Sequence, residues 1–346
     1  MNTPAYTLDE TRLARYLEDA IPGFRGPVSA EKFADGQSNP TFLLNAASGQ
    51  YVLRRKPPGE LLKSAHAVDR EFRVMKALRA TGVPVAQTHH LCDDDAIIGS
   101  IFFVMEYMPG RVFWNPALPG FDNATRAAIY DDMNRVLAAL HSVDIDAVGL
   151  SDYGKPGNYY ARQYKRWSQQ YRASETETIS AMNRLIDWLP GHMPPDDGRV
   201  ALTHGDFRLD NFIFHPEEPR IIAVVDWELS TLGHPYADLA YQCMQWHLPN
   251  DSDMLPGLGG IERSALGIPS EADYVAAYCQ RMGLEEIPHW TFYLAFSFFR
   301  FAAIVQGVLK RALDGNASSP KALEVGKLAR PLAKMAVELI EGKEKR

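Results

Sequence analysis

The sequence predicts an α+β fold with two lobes, a small N-terminal lobe rich in β-strands and a larger C-terminal lobe that is mostly helical. Short β-branched and aromatic runs separated by turn residues occupy the first part of the chain. After Met108-Pro109-Gly110, apolar residues at helical spacing dominate, interrupted by one island of short strands at residues 200–225. The predicted boundaries are residues 1–106 for the small lobe, 107–110 for a hinge and 111–346 for the helical lobe.

The small lobe is predicted to contain two helices and five strands. Thr7 and Glu10 form a capping box before an apolar stripe, which predicts the first helix. Val68, Phe72 and Met75 recur at helical spacing and predict the second. The predicted elements are a helix at 8–19, strands at 28–33, 41–46 and 51–55, a helix at 65–81, and strands at 88–91 and 100–106.

The large lobe is predicted to contain seven helices around the strand island. The helices are predicted at residues 123–142, 159–173, 178–189, 235–246, 272–282, 290–313 and 321–341, and the strands at 200–203, 211–215 and 221–225. The most apolar segment, residues 292–309, is interrupted by Arg300 and Gln306. No stretch reaches the roughly 18 apolar residues that a membrane-spanning helix needs, so this segment is predicted to be a buried core helix.

Composition predicts a cytoplasmic globular protein. The 346 residues are 46% hydrophobic, and the formal net charge is −7. A mildly acidic protein has no general attraction to nucleic acid or to anionic membranes, so neither is expected as a partner. The three cysteines are far apart and form no disulfide or zinc pattern. The first ten residues lack an apolar run, so no signal peptide is expected.

The strongest functional signal is a polar loop between two predicted strands, followed by an acid at the end of the next strand. The loop contains His204-Gly205-Asp206 and ends at Asn211, and Asp226 follows a β-branched run. Phosphoryl transfer requires a carboxylate near the acceptor hydroxyl and hard oxygen ligands for Mg²⁺. The pattern therefore predicts that Asp206 orients the hydroxyl or accepts its proton, and that Asn211 and Asp226 bind Mg²⁺.

These two motifs resemble the signature of the aminoglycoside phosphotransferase and choline kinase superfamily. The resemblance implies a bilobal protein-kinase-like fold and an ATP-dependent phosphotransferase that phosphorylates a hydroxyl of a small molecule, with Mg²⁺ as cofactor. A strand-linking turn with scattered acids is the alternative. It is disfavoured because two separated motifs agree in order and context.

Several residues of the small lobe are predicted to bind the nucleotide. The loop at residues 34–41 contains Gly36, Ser38 and Asn39, which can offer N–H and hydroxyl groups to phosphate oxygens, although a plain hairpin turn is the alternative. Arg54 stands where the family usually has a phosphate-binding lysine, and an arginine can still bind phosphate. Lys56, two residues later on the same face of the strand, is the rival candidate.

Further contacts are predicted around this arginine and at the hinge. Glu71 lies beside the apolar stripe of the second helix, where a carboxylate needs a partner, and Arg54 is the predicted one. Glu106 and Met108 are predicted to bind the adenine edge through backbone groups, or else only to link the lobes. The resemblance implies a structural role for Asp238, which would bind the backbone of the catalytic loop.

The acceptor is the least specified part of the prediction. Arg162 and Arg166 share one helix face and could bind an anionic acceptor, although a solvated basic face is the alternative. Glu228 is a further candidate acceptor contact. Residues 54–59 (RRKPPG), 65–71 (AHAVDRE) and 226–228 (DWE) resemble the phosphotransferase-like branch that is fused to some acyl-CoA dehydrogenases. That resemblance implies a hydroxyacyl-CoA rather than an aminoglycoside as acceptor, and a link to acyl-CoA metabolism.

Two other functions stay open at this point. A catalytically silent nucleotide-binding or partner-docking module is favoured only by the arginine at position 54. A kinase that acts on polypeptides is ranked lower, because the helical lobe of this superfamily usually forms a small-molecule cleft. The acceptor, the preference for ATP over GTP and the oligomeric state are not specified by the sequence.

Overall fold

The computed structural model describes residues 8–33, 39–57, 67–316 and 321–344, and the chain divides into two compact units. The first unit consists of Met1–Arg111, Val148–Leu150 and Phe212–Ser230. The second unit consists of Val112–Ala147, Ser151–Asn211 and Thr231–Arg346. Strands dominate the first unit and helices the second, so the predicted α+β class is confirmed. The lobe and hinge boundaries at residues 106 and 111 stay a prediction.

The first unit is organised around a five-stranded antiparallel sheet in the order β1-β2-β3-β5-β4. Its elements are α1 (Glu10–Ala20), β1 (Val28–Lys32), β2 (Thr41–Ala46), β3 (Gly49–Arg55), α2 (Val68–Leu78), β4 (Thr88–Cys92) and β5 (Phe102–Glu106). Leu13 and Leu17 of α1 pack in one buried cluster with Phe42, Leu53 and Phe102 of the sheet. The register places Thr41 opposite Arg54 and Arg54 opposite Phe103, so Arg54 lies on a central strand.

The start of α1 differs from the predicted capping box. The helix begins at Glu10, and Asp9 is the N-cap, because its Oδ1 accepts a hydrogen bond from the Arg12 N–H at 3.0 Å. Thr7 lies outside the described residues. Thr7 and Asp9 both precede the helix in the sequence, and either residue type can cap a helix, so the sequence alone could not choose between them.

The strands of the predicted island belong to two separate antiparallel pairs. In the first unit, β7 (Phe212–Phe214) pairs with β8 (Ile221–Val224). In the second unit, β6 (Ala201–Thr203) pairs with β9 (Thr231–Gly233), a strand that the sequence did not predict. β9 has only three residues and ends at Gly233, directly before His234-Pro235, so it is too short for an alternating pattern to be recognised.

The helices of the second unit follow the predicted order, with two of them divided. They are α3 (Asn123–His141), α4 (Tyr159–Ser174), α5 (Ser180–His192), α6 (Tyr236–Cys243), α7 (Glu271–Met282), α8 (Trp290–Leu313), α9 (Ala322–Gly326) and α10 (Ala329–Glu344). The predicted helix at 235–246 ends at Cys243 and continues as a 3₁₀ turn. The predicted helix at 321–341 is α9 and α10, and Pro331 stands in the first turn of α10, where a proline is tolerated.

α8 is the central helix of the second unit. Among the described residues it is the one helix long and apolar enough to cross a membrane, and 72% of its most apolar window is buried inside the protein. This burial agrees with the predicted core helix. Cytoplasmic location stays a prediction.

Gly110 provides a test of the packing in the first unit. A Cβ at this position would lie 2.3 Å from the Phe214 carbonyl oxygen and 2.4 Å from Cγ2 of Ile213. The neighbouring Arg111 exchanges two backbone hydrogen bonds with Phe214, which fixes the approach. We expect Gly110→Ala to lower the free energy of unfolding by roughly 1–3 kcal/mol, because backbone must move.

Gly191 supplies the matched control. It lies in the last turn of α5, and a Cβ there would meet nothing within 4 Å. Gly191→Ala should leave stability unchanged or slightly raised, as measured by urea unfolding of both variants beside the wild type. Equal stability of the two variants would contradict the close approach at Gly110.

Candidate functional site

The predicted catalytic loop lies in the second unit and begins directly after β6. Gly205 has a φ of 84°, a conformation that a residue with a side chain rarely adopts. At the end of the loop, a 3₁₀ turn at Leu209–Asn211 brings the Asn211 side chain back over Asp206. The Asn211 amide donates to the Asp206 carbonyl at 2.8 Å and to its carboxylate Oδ2 at 2.9 Å. The structure therefore brings Asp206 and Asn211 together and fixes the orientation of the carboxylate.

A second carboxylate, Asp238 in the first turn of α6, holds the backbone of this loop. Its Oδ2 accepts from the His204 N–H at 2.6 Å, and its Oδ1 accepts from the Gly205 N–H at 2.8 Å. His141 lies 3.5 Å from Oδ2 and is bonded in turn to the Tyr278 hydroxyl at 2.7 Å. Burial works against ionisation here, but the bond from His141 and the loop N–H groups lower the pKa of Asp238.

Arg300 supports the same loop from α8, and the sequence did not assign it a role. Its Nη2 donates to the Gly205 carbonyl at 3.0 Å. Its guanidinium lies over the rings of Tyr241 and Trp167, at 5.7 and 5.9 Å from the ring centroids. An arginine inside an otherwise apolar core helix requires a partner, and this requirement was the signal in the sequence that could have identified it.

Tyr241 connects the loop to α6. Burial, together with the charge of Asp206 and a hydrogen bond to it, raises the pKa of the Tyr241 phenol. The hydroxyl therefore stays protonated beside the Asp206 carboxylate, to which it can donate. No periodic pattern or motif in the sequence identified this tyrosine.

In the first unit, Arg54 is surrounded by carboxylates. Its Nε lies 2.8 Å from Glu71 Oε2, its Nη2 lies 2.5 Å from Asp226 Oδ1, and Glu228 Oε2 is 3.8 Å away. Glu71 is only 2% exposed. Burial lowers the pKa of Arg54, but the three carboxylates outweigh burial and raise it, so the guanidinium stays charged. The predicted Arg54–Glu71 pair is present.

Asp226 reaches this cluster through an unusual backbone conformation. It follows β8 with φ 66° and ψ 56°, the left-handed region, where aspartate and asparagine are the side-chain-bearing residues best tolerated. The next residue, Trp227, is fully buried and donates from Nε1 to the Val224 carbonyl at 2.9 Å. The buried indole anchors the turn that positions Asp226.

Two other predicted nucleotide-binding residues of the first unit, Lys56 and Asn39, are each paired with an acid. Lys56 lies 3.6 Å from Asp69 in a partly exposed pair, so Arg54, and not Lys56, occupies the carboxylate cluster. Asn39 is buried, and its Nδ2 donates to Glu228 Oε2 at 3.3 Å. Gly36 and Ser38 lie outside the described residues.

The predicted hinge begins at the end of β5. Glu106 is the last residue of β5, and its N–H donates to the Gln87 carbonyl at 2.8 Å. Met108 follows in the segment after the strand. Their predicted contacts with adenine stay a prediction.

The predicted acceptor residues do not form one cluster within either unit. Arg162 donates to the carbonyl oxygens of Lys155 and Pro156, and Arg166 lies over the Trp167 ring at 5.1 Å. Both belong to α4 in the second unit, whereas Glu228 belongs to the Arg54 cluster in the first. The basic face of α4 thus has local structural partners, which the helical spacing alone could not reveal.

The donor chemistry of Asn211 and Asp226 fits Mg²⁺. Asn211 uses its amide nitrogen to hold Asp206, which leaves the amide oxygen for a metal. Asp226 directs Oδ1 to Arg54 and is 35% exposed. Within the described ranges, no group of three or more His, Cys, Asp or Glu side chains is arranged to hold a metal ion. Mg²⁺ usually needs only one or two protein carboxylates, because water and phosphates complete its shell.

The predicted meeting of Asp226 with Asp206 and Asn211 stays a prediction, because these residues belong to different compact units. What the structure establishes is two separate constellations. One is a fixed carboxylate on a braced loop, and the other is a charged arginine among acids.

Comparisons with known proteins identify the family of the chain. Residues 29–279 match the model of the family described as "Phosphotransferase enzyme family". The chain belongs to this phosphotransferase family. Over 330 residues it is 52% identical to acyl-CoA dehydrogenase family member 10 of Mus musculus, and over 341 residues 43% identical to acyl-CoA dehydrogenase family member 11 of Rattus norvegicus. The resemblance read from the sequence is confirmed.

The relatives from mouse and rat are longer than this phosphotransferase-family chain. The alignments cover 95% and 97% of the chain but 31% and 44% of the two relatives. The chain therefore spans less than half the length of these curated proteins.

Solved structures confirm the fold of the phosphotransferase family. A crystal structure from Ralstonia eutropha JMP134, provisionally named as an aminoglycoside phosphotransferase, is 51% identical with a TM-score of 0.89, and the match covers 97% of this chain and 99% of that one. The aminoglycoside phosphotransferase APH(4)-Ia in its apo form is 16% identical with a TM-score of 0.62, over 96% of this chain and 99% of that one. The second likeness supports the kinase-like fold alone.

Removing Arg54 tests the carboxylate cluster. We expect Arg54→Met to lower the free energy of unfolding by about 3–5 kcal/mol, because it leaves the buried Glu71 without its counter-charge. Adding Glu71→Leu should recover more than half of that loss. Both values come from urea unfolding of the variants.

Arg220 is the control for this change. It pairs with Glu218 on the surface, where both side chains are about half exposed. Arg220→Met should cost less than about 1 kcal/mol. A loss at Arg54 no larger than that at Arg220 would contradict the cluster.

Asp238→Asn tests the support of the catalytic loop. An amide has one oxygen, so one of the His204 and Gly205 N–H groups loses its acceptor, and we expect a loss of about 1–3 kcal/mol at neutral pH. Because the pKa of Asp238 is lowered in the folded state, its contribution is present above the ordinary value of 3.8 and is lost as pH falls through the folded pKa. The stability difference between wild type and variant should therefore shrink on acidification; a difference independent of pH would contradict this role.

Proposed function

We propose that the chain transfers the γ-phosphoryl group of ATP to a hydroxyl group of a small molecule, with Mg²⁺ as cofactor. The observation that carries this proposal is the fixed Asp206 carboxylate. Asn211 bonds it from one side, and Asp238 and Arg300 hold the backbone beneath it. A loop with only a structural role has no need for an acid whose carboxylate is oriented by Asn211 and whose neighbouring backbone is held on both sides.

In the proposed reaction, the acceptor oxygen forms a bond to the γ-phosphorus while the bond from that phosphorus to the β–γ bridging oxygen breaks. ADP leaves with the bond electrons, and the hydroxyl proton passes to Asp206. Tyr241, which stays protonated, would orient the same carboxylate. A positioned carboxylate of this kind typically contributes about 10²–10⁴-fold to the rate.

Arg54 is the proposed phosphate-binding cation. Two of its nitrogens face Glu71 and Asp226. Among the described residues the hydrogen bonds and ion pairs of Arg54 use Nε and Nη2, which leaves Nη1 for a phosphate oxygen. Asp226 and Asn211 would hold Mg²⁺, whose charge would stabilise the triphosphate as negative charge develops.

We further propose a hydroxyacyl-CoA as the acceptor. The support is the similarity to proteins named as acyl-CoA dehydrogenase family members over nearly the whole of this chain. An aminoglycoside is the second candidate, supported by the name of the 51% identical structure from Ralstonia eutropha. A cytoplasmic location fits either acceptor. The alternative to catalysis is a silent nucleotide-binding module. It is supported by the ion pairs of Arg54 with Glu71 and Asp226, which occupy part of the guanidinium.

An acceptor panel separates these candidates. The purified protein is incubated with Mg²⁺ and ATP and with hydroxyacyl-CoA thioesters, aminoglycosides or buffer, and products are measured by mass spectrometry. We expect a phosphorylated thioester and ADP in equal amounts. Turnover of aminoglycosides alone would overturn the acceptor, and Mg·ATP binding without any product would favour the silent module.

Substitution of two aspartates tests the assignment of roles. Asp206→Asn should lower turnover on the order of 10³-fold with Mg·ATP affinity nearly unchanged, because the carboxylate acts on the acceptor proton. Asp226→Asn should instead weaken Mg·ATP binding, measured by calorimetry. Asp95→Asn, an exposed aspartate of the first unit, is the control and should change neither. Wild-type rates in Asp206→Asn would contradict the mechanism.

A further inference from the structure

A cavity of about 330 Å³ lies beside the catalytic loop, within the second unit. Arg208, Leu209 and Asp210, which stand between Asp206 and Asn211 in the sequence, form one of its walls. Tyr241 forms part of another wall, and the nearby charge of Asp206 contributes, after burial, to raising the pKa of its phenol. The cavity is therefore lined by the same residues that carry and orient the proposed base. Its volume is at the lower end for small-molecule sites, so it fits part of an acceptor rather than a large oligosaccharide.

Most of the cavity wall is apolar. Leu248 and Phe301 contribute buried or half-buried surface, and Met254 and Trp114 are more open, with Trp114 60% exposed. A large exposed indole beside a cavity costs solvation unless something covers it. Methionine side chains adapt to ligands of variable shape. An alkyl chain is the chemistry that matches these walls.

The charged residues of the cavity do not favour a polycation. Arg208 forms a bidentate ion pair with Asp210 through Nε and Nη2, so these two charges are satisfied by each other. Asp253 is the remaining charged side chain among the described lining residues. Recognition of an aminoglycoside, which carries several ammonium groups, would call for several acids facing the cavity.

Two glutamine amides supply the polar chemistry. Gln242 is 2% exposed, and its Oε1 accepts from the Tyr274 hydroxyl at 2.9 Å, which fixes its Nε2 as a donor on the other side. Gln245 is the next lining glutamine on the same segment. In the described parts of the chain, neither Nε2 atom has a hydrogen-bond partner, although both are buried. Buried N–H donors left unpaired cost about 1–3 kcal/mol each, so a ligand that supplies an acceptor oxygen is favoured.

We infer that this cavity binds the acyl portion of the acceptor, with its alkyl chain on the apolar wall and its carbonyl oxygen accepting hydrogen bonds from Gln242 and Gln245. The inference rests on the proposed function for the identity of the molecule as an acceptor. It names two specificity-determining residues that no motif revealed. The site would distinguish an acyl thioester from an aminoglycoside because it recognises an uncharged carbonyl attached to an apolar chain.

Equilibrium binding without nucleotide tests the inference separately from catalysis. The probes are a hydroxyacyl-CoA thioester and the matching hydroxyalkyl-CoA thioether, in which a methylene replaces the carbonyl. Affinity is measured by calorimetry. The wild type should bind the thioester on the order of tenfold more tightly than the thioether, because only the thioester pairs the amide donors.

Gln245→Leu should abolish this preference. The thioester should lose about tenfold in affinity, and the thioether should bind as well as before or better, since the unpaired donor is gone. Gln242→Glu, which keeps an oxygen for Tyr274 but replaces the donor nitrogen, is the second variant in case leucine perturbs folding. Gln280→Leu, an exposed glutamine of α7 outside the cavity, is the matched control and should keep the wild-type preference.

Each outcome decides the inference. An unchanged thioester preference in both Gln245→Leu and Gln242→Glu, or no binding of either probe by the wild type, would overturn it. Loss of the preference in these variants alone would support it. If the wild type phosphorylates the thioester but shows no preference for the carbonyl, the cavity assignment is wrong and the proposed kinase activity is supported. If it binds the thioester selectively without phosphorylating it, the cavity assignment is supported and the proposed kinase activity is wrong.

Discussion

The buried carboxylate of Asp238 is the constraint on which the catalytic loop depends. It accepts two consecutive backbone N–H groups, from His204 and Gly205, at the point where Gly205 turns the chain through a positive φ. His141 and Tyr278 keep the acid ionised inside the protein by supplying a hydrogen-bonded chain behind it. Without this support the loop N–H groups would be buried and unpaired, and the position of Asp206 would not be defined.

Each compact unit stabilises charged side chains with hydrogen bonds or ion pairs, but the charge has the opposite sign in the two units. The second unit holds acids with donors: the Asn211 amide donates to Asp206, and the loop N–H groups of His204 and Gly205 donate to Asp238. The first unit holds a cation by surrounding it with acids, from α2 and from the turn after β8. In each case the surrounding groups come from elements far apart in the sequence. The contacts that orient Asp206 and Arg54 are therefore also contacts that stabilise the tertiary structure.

The sequence specified the parts of the molecule that rest on local patterns. Strand alternation and helical periodicity placed most elements within a few residues, and the motif around Asp206 identified the loop, its Asn211 and the separate Asp226. The supports were not predictable in this way. Arg300 and Tyr241 act through tertiary contacts that have no fixed spacing, and β9 was too short to carry a pattern. The unpaired amides of Gln242 and Gln245 become visible only when every buried donor can be matched with its acceptor.

The choice of arginine at position 54 has a consequence for how the protein responds to alkaline solution. A lysine side chain has an ordinary pKa of about 10.4, whereas an arginine side chain keeps its proton well above that pH. The guanidinium, flanked by Glu71, Asp226 and Glu228, keeps its proton throughout the range in which a protein stays folded. Any loss of the proposed nucleotide binding at high pH must then originate in some other group.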